Sequence, residues 1–409
     1  MRVLIITDTF PPEKVGSYRM YDLAANFSKD GFEVTVLCPP PTFPFGSFKR
    51  TWKLATVEFL KGMKIVHLWT WQPQSSALSK LSRGAYYFIM PMFAAIWTLC
   101  NSNFDVVITS SGSSPLIWLP GLLAKKLRSK PLIVDVRDLP VDSAVSLGFL
   151  EKDSLPTKLL RNFEFMCYLS SDFVLVPTES VMKGILSYCI RKDKVVIIPN
   201  AADIEIFYPC SVSKKRQIIY AGNIGYAQDF ECVLSAMREI SKQGIRLLMV
   251  GEGEVRECLQ KQVRENHLDA YITFMGGMER SQLPQLLSES IAGLAPLKKL
   301  KIIEGSIPAK IFDYMACAIP FIAFGGSDLE RISADSSSGF VIDNDPHNLC
   351  EIVVYLAKNP LVAKDMGLKG RAYCEKYYNR RAMAAKIELL MFRLCDNSDS
   401  NYIPNVLAN

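Results

Sequence analysis

Gln217-Ile218-Ile219-Tyr220-Ala221-Gly222-Asn223-Ile224-Gly225-Tyr226-Ala227-Gln228-Asp229-Phe230 reads as a β-strand, a glycine turn and the opening of a helix. The apolar, partly β-branched run predicts the strand, and the apolar spacing through residues 230–242 predicts the helix. The first N–H groups of a helix have no partners within it, so a turn of this kind makes an anion cradle. The turn has neither the G-x-x-x-x-G-K-[ST] pattern nor G-x-G-x-x-G, which excludes a Walker A loop and the dinucleotide fingerprint.

The same alternation extends both ways from this stretch. Ahead of it, strand-like runs at 3–7, 33–37, 64–68, 105–109, 132–136, 173–177 and 194–198 alternate with helix-like stretches such as 18–28 and 157–169. Beyond it, strands are expected at 246–250, 271–274, 291–295, 320–323 and 339–342, with helices between them. This β-α rhythm predicts an α/β protein with parallel sheets covered on both faces. The rhythm restarts after the polar stretch 209–216 (PCSVSKKR), which reads as a linker. The expected organisation is a first doubly wound domain over 1–208, the linker, and a second over 217–376. A C-terminal helix at 377–395 is expected to return to the first domain, followed by a polar tail at 396–409. A chain of 409 residues suits two such domains.

Composition narrows the function. With 49% hydrophobic and 22% charged residues the chain is globular, not disordered. The 11 cysteines include no C-x-x-C pair, and the three histidines lie far apart, which argues against a disulfide scaffold or a histidine-rich metal centre. No metal or cofactor is expected. No secretory leader is expected from the opening residues, and the scattered cysteines lead to the expectation of a reducing, cytoplasmic location. The net charge is +6, and seven basic residues against the single acid Glu58 fall between Lys49 and Arg83. That patch could face a phosphorylated ligand or an anionic membrane. It adjoins the uncharged run 84–100 (GAYYFIMPMFAAIWTLC), which is short for a bilayer span and carries Pro91. A buried or interfacial helix is the better reading.

In open α/β sheets ligands bind beyond the carboxyl ends of strands, so the turns there are the candidate sites. Gly16 and Ser17 lie in the first such turn. Ser111 and Gly112 lie in Ser110-Ser111-Gly112-Ser113-Ser114, whose hydroxyls and N–H groups suit a sugar or an anion as well as an ordinary turn. Asp135-Val136-Arg137-Asp138 packs charge at a strand end, as a salt bridge or a ligand contact. Val250-Gly251-Glu252-Gly253-Glu254 has the shape of a phosphate turn, but its glutamates would repel a phosphate. After the lysine cluster at 298–301, Gly305 and Ser306 precede a helix on which Lys310 and Asp313 share a face. They read either as an ion pair or as a phosphate-binding lysine beside a ribose-binding acid. Asp343-Asn344-Asp345 is a D-x-D triplet read as a polar turn.

Several of these segments resemble the retaining glycosyltransferases of family 4, which have the GT-B fold of two Rossmann-like domains facing a central cleft. Phe10-Pro11-Pro12-Glu13 resembles the family's F-P-P-E opening, and Ile197-Ile198-Pro199-Asn200-Ala201-Ala202-Asp203 with Phe207 its I-P-N-G-V-D-x-x-x-F junction. Val250-Gly251-Glu252-Gly253 matches V-G-x-G. Gly222-Asn223-Ile224-Gly225-Tyr226-Ala227-Gln228 and Pro308-Ala309-Lys310-Ile311-Phe312-Asp313-Tyr314-Met315-Ala316 resemble motifs of the branch making capsule, O-antigen and colanic-acid-type polysaccharides. Arg137-Asp138-Leu139-Pro140-Val141-Asp142-Ser143 resembles that branch's R-D-L-W-P-E-S without the tryptophan. Departures are also present. Asp313 stands where the wider family has its second glutamate, Gly305 where it has the first, Arg137 near its histidine, and Gln228-Asp229 in place of its K-G pair.

The resemblance implies transfer of a sugar, with retention, from a UDP- or GDP-type donor to a glycan or lipid-linked acceptor. No nucleic acid partner is expected. It implies a donor site formed by Gly222, Asn223, Gly225, Gln228, Gly305, Ser306, Lys310 and Asp313, and an acceptor side including Gly16, Ser17, Ser111 and Gly112. Arg137, Asp138 and Lys310 are the expected catalytic residues: the first two position the acceptor hydroxyl, and Lys310 meets the charge of the departing diphosphate. A lipid-linked acceptor would bring the first domain to the inner face of the plasma membrane. Two other readings stay open, a sugar-nucleotide 2-epimerase of the same fold and a non-catalytic partner subunit.

Overall fold

The computed structural model describes residues 1–13, 18–42, 45–74, 80–111, 114–299 and 305–395. The described residues divide into two compact units, one holding 1–13, 18–199 and 381–395, the other 200–380.

The first unit is built on eight strands: β1 (Arg2–Thr7), β2 (Glu33–Cys38), β3 (Ala55–Leu60), β4 (Met63–Leu68), β5 (Val106–Ser111), β6 (Leu132–Val136), β7 (Phe173–Val176) and β8 (Val195–Ile197). They lie in the order β3-β4-β2-β1-β5-β6-β7-β8. All neighbours are parallel except β3, which pairs antiparallel with β4. This edge strand is absent from the sequence-based expectation. It forms because Lys61 and Gly62 both take positive φ and close a tight hairpin. β1, β5 and β6 are wholly or nearly buried, as expected of strands covered on both faces.

The second unit carries β9 (Gln217–Ala221), β10 (Arg246–Val250), β11 (Ile272–Phe274), β12 (Gly293–Pro296), β13 (Phe321–Phe324) and β14 (Gly339–Ile342), in the all-parallel order β11-β10-β9-β12-β13-β14. Numbered within the unit this is 3-2-1-4-5-6, the doubly wound order. Setting β3 aside, the first sheet begins the same way. Each sheet therefore reverses direction beside its first strand, and the turns after β1 and β9 sit at the two switch points.

The unit boundary falls between Pro199 and Asn200 rather than at 208–209. The reason lies in packing. Ala202 and Phe207 are buried among Ile219, Phe312 and Phe321, Ala202 N donates to Tyr378 O (3.0 Å), and Arg371 donates to Phe207 O (2.6 Å). The expected linker 209–216 lies inside the second unit. The last helix, Arg380–Cys395, supplies residues from Arg381 on to the first unit. There Arg381 pairs with Asp30 and Phe392 packs on Phe32 with ring centroids 5.7 Å apart.

Candidate functional site

In the second unit the turn after β9 is shaped by backbone against backbone. Gly222 N donates to Val250 O (2.9 Å) and Ile224 N to Glu252 O (2.8 Å). A Cβ on Gly251 would lie 1.9 Å from Gly222 O, and one on Gly253 2.3 Å from Ile224 O. The Val250–Gly253 turn is therefore the backing on which the Gly222–Gly225 turn rests. Its Glu252 carboxylate is held by Arg256 (2.5 Å) and Gly277 N (3.2 Å). Gln228 Oε1 accepts from Gly225 N (3.0 Å) and closes the loop, so that oxygen serves the loop's shape. Asp229 caps the helix Phe230–Ile240 through Cys232 N. Asn223 Oδ1 is buried without a hydrogen bond among the described residues.

The helix Lys310–Ala316 follows β12, on the other side of the switch point. It brings Lys310 to the glycine turn, 88 residues away in sequence. Lys310 Nζ lies 3.7 Å from the centroid of the Tyr220 ring and 3.1 Å from where a Cβ on Gly222 would stand. Gly222 has φ +145°, which glycine adopts without strain. Burial against this ring and backbone pushes the Lys310 pKa down to about 7, against the pull of Asp313, which favours the charged form. Burial raises the Tyr220 phenol well above its ordinary value, so it stays neutral. Tyr314 OH donates to Leu294 O (3.0 Å) and accepts from Ala221 N (3.1 Å), fixing the ends of β12 and β9 together. Gly293 makes room for that ring, since a Cβ there would fall 2.3 Å from it.

Gly305 and Ser306 lie half-buried in the loop before the helix, which Asn200 holds through Ile307 O (3.4 Å). Asp313 is half-buried one turn after Lys310. The Asp343-Asn344-Asp345 triplet is occupied with structure: Asp343 pairs with Lys299 (3.1 Å), Asn344 donates to Asp229 (2.7 Å), and Asp345 caps the helix Pro346–Lys358.

In the first unit the ion pair expected within 135–138 takes a different form. Asp135, fully buried, binds Arg19 (2.8 Å) and accepts from Ser110 Oγ (2.7 Å). Arg19 also donates to Ile198 O (2.8 Å) and Pro199 O (3.0 Å). Arg137 instead approaches Asp8, directly after β1, at 3.7 Å. Asp138 sits half-buried beside it, ahead of the helix Pro140–Ser146. Glu164 accepts from Val141 N (3.2 Å) in that helix, and burial raises its pKa to about 8. Ser111 Oγ donates to Ser114 O (2.6 Å) and accepts from Ser114 N (3.2 Å), which makes it a turn-closing residue. Gly16, Ser17 and Gly112 lie outside the described residues. Beside Asp8 is a small open depression walled by Tyr86, Tyr87, Met90, Pro91 and Ser114.

Sequence reasoning misses Asp8, Arg19, Tyr220 and Tyr314. Asp8 had a signal, being an acid immediately after a buried strand at a sheet's carboxyl edge. The other three act through partners between 20 and 180 residues away, which local patterns do not register.

Residues 16–206 match the family model described as Glycosyltransferase Family 4, and 215–359 match Glycosyl transferases group 1. Among curated proteins, the chain is 26% identical over 305 residues to the probable glycosyltransferase WbjE of Pseudomonas aeruginosa, covering 69% of this chain and 73% of that one. It is 22% identical over 337 residues to the putative colanic acid biosynthesis glycosyl transferase WcaI of Escherichia coli (strain K12), covering 77% and 81%. Among solved structures, sucrose-phosphate synthase from Thermosynechococcus elongatus superposes with a TM-score of 0.75 at 18% identity, over 97% of this chain and 99% of that one. Anabaena HepE in complex with UDP-glucose does so with 0.71 at 14%, over 96% and 100%. With both sheets in doubly wound order and the two models following one another along it, the chain belongs to the GT-B glycosyltransferases, a family 4 domain followed by a group 1 domain.

Proposed function

We propose that this glycosyltransferase moves a sugar, with retention, from a nucleotide-diphosphate sugar to a glycan or lipid-borne acceptor in polysaccharide synthesis. The observation that carries the reading is the Lys310 ammonium set against the Gly222 turn at the switch point of the second sheet. A diphosphate at that turn would meet a buried cation, the charge needed where negative charge builds on a leaving group. Asp313, on the same helix, is suited to a ribose hydroxyl. On the acceptor side, Arg137 with Asp8 and Asp138 would orient the attacking hydroxyl. In a retaining transfer the departing phosphate oxygen can take its proton, so no further base is required. WcaI by its name supports the pathway type, and HepE by its UDP-glucose the donor class. The D-x-D residues already serve as cap, ion pair and tether, which supports transfer without a metal.

Incubation with a panel of UDP- and GDP-sugars tests this reading. Wild type is expected to bind one donor and to form product that keeps the donor's anomeric configuration by NMR, with a rate unaffected by chelators. Absence of binding to every nucleoside diphosphate would overturn it. An epimerised donor formed without acceptor would point to the epimerase instead.

A further inference from the structure

The helix Lys80–Cys100 contains no charged residue from Gly84 to Cys100. Its exposed positions there are Gly84, Phe88, Met92, Ile96 and Cys100, spaced four apart along about 24 Å of helix. Phe88 is 54% and Ile96 57% exposed. A helix apolar on its solvent side is a surface awaiting a partner.

The edge hairpin continues that surface. In the β3–β4 ladder Ala55 faces Leu68, Val57 faces Val66 and Phe59 faces Lys64. Opposed residues share a face of the sheet, and Val66 and Leu68 pack with Met90 and Ala94 of the helix. Val57, Phe59 (76% exposed) and Lys64 therefore project on the helix's side. The acid of this stretch, Glu58, points to the other side, where it meets His67 (3.0 Å). Exposed Trp52 stacks on Trp69 (6.1 Å), whose ring meets Phe93 of the helix edge-on (6.1 Å). Arg50 covers Trp71 (4.1 Å), which donates to Ser82 of the helix (2.8 Å). Lys61 leaves the patch, lying over Tyr21 (5.4 Å) on the helix Arg19–Lys29.

We propose that this face, made by Trp52, Phe59, Phe88, Met92 and Ile96 with Arg50 and Lys64, docks in the plane of an anionic bilayer. Exposed aromatics beside cations, with no acid among them, suit the lipid headgroup boundary. The same cations oppose a face-to-face pair of copies of this chain, which would set like charge against like. No described helix is long and apolar enough to cross the membrane, so the helix lies on it. Tyr87 and Pro91, beside the stripe on the same helix, wall the depression that holds Asp8. A headgroup carried on a lipid would thus arrive next to the Asp8–Arg137 pair. In this respect the inference rests on the lipid-borne acceptor proposed above.

Co-sedimentation with phosphatidylglycerol-containing vesicles and with pure phosphatidylcholine vesicles tests it, with UDP binding followed in the same samples. Binding is expected only to the anionic vesicles and is weakened by salt. Lys64→Gln is expected to lower the partition coefficient about fivefold. Phe88→Ser with Ile96→Ser is expected to abolish binding at low salt, while folding by circular dichroism and UDP binding stay unchanged. Protein left in the supernatant at low salt would overturn the docking face, and intact UDP binding would leave the transfer reading standing. Vesicle binding indifferent to these substitutions, or a dimer in solution that the serine variants dissociate, would equally overturn it.

Discussion

Lys310 faces an aromatic ring and a glycine backbone, surroundings that solvate a cation poorly, and its pKa of about 7 follows from that. A bound diphosphate supplies the missing counter-charge and raises that pKa, so binding must take up a proton where the free lysine is neutral. UDP affinity is expected to fall as pH rises through about 7. Calorimetry in buffers of different ionisation enthalpy should show proton uptake that Lys310→Met abolishes. Lys310→Ala is expected to lower kcat about 10²- to 10³-fold, the range for loss of one oxyanion donor, with the melting temperature little changed. A near-normal rate would remove Lys310 from the mechanism. Asp135 has the opposite character. Its carboxylate neutralises a buried Arg19 that also gathers two carbonyls at the end of β8, so Asp135→Ala strands a buried cation. About 3–5 kcal/mol of stability should be lost in denaturant titration of this variant, with no specific effect on UDP binding.

At the level of elements, the two glycine turns of the second unit work as support and surface, and substitution separates them. A Cβ on Gly251 meets a backbone carbonyl at 1.9 Å and sits at φ +140°, so Gly251→Ala must displace the Gly222 turn. A loss of about 2–4 kcal/mol in denaturant titration is expected. At Gly222 an alanine is strained as well, at φ +145°, but its Cβ meets only the flexible end of Lys310, at 3.1 Å, and no backbone. Gly222→Ala should therefore weaken UDP binding more than it weakens folding, and equal losses would contradict the division of roles. Both turns were legible in the sequence because strand, glycine and helix follow one another within a dozen residues. What the Val250–Gly253 turn rests against was not, since its fit depends on a neighbour about 30 residues away. The edge strand β3 was hidden for another reason. Most of its residues are exposed, so it lacks the half-buried alternation that marks a strand.

For the whole molecule, the chain's return to its first unit joins stability to pH. Residues 381–395 belong to the first unit, where Met383, Ile387, Leu390 and Met391 are buried and Phe392 packs on Phe32. Arg381 also binds Asp30, which lowers the Asp30 pKa. Glu388 lies beside the same carboxylate. Burial, and then its hydrogen bond and charge repulsion with Asp30, raise the Glu388 pKa to about 7 from an ordinary 4.5. The groups acting on one another here are thus two acids with Arg381 and Lys29, and the neutral form of Glu388 fits best. Between about pH 4.5 and 7 the folded state holds a proton there that the unfolded chain has released. Stability from this contact is therefore complete below about 4.5 and declines as pH rises through 7. Glu388→Gln keeps the hydrogen-bonding shape without the charge. It should raise the melting temperature at pH 8 and leave it nearly unchanged at pH 4.5, measured by differential scanning calorimetry on the full-length chain. UDP should shift the melting of the second unit equally in both proteins, because the donor residues lie outside this contact. A variant no more stable than wild type at pH 8 would show that the Asp30–Glu388 contact does not govern the docking of the last helix.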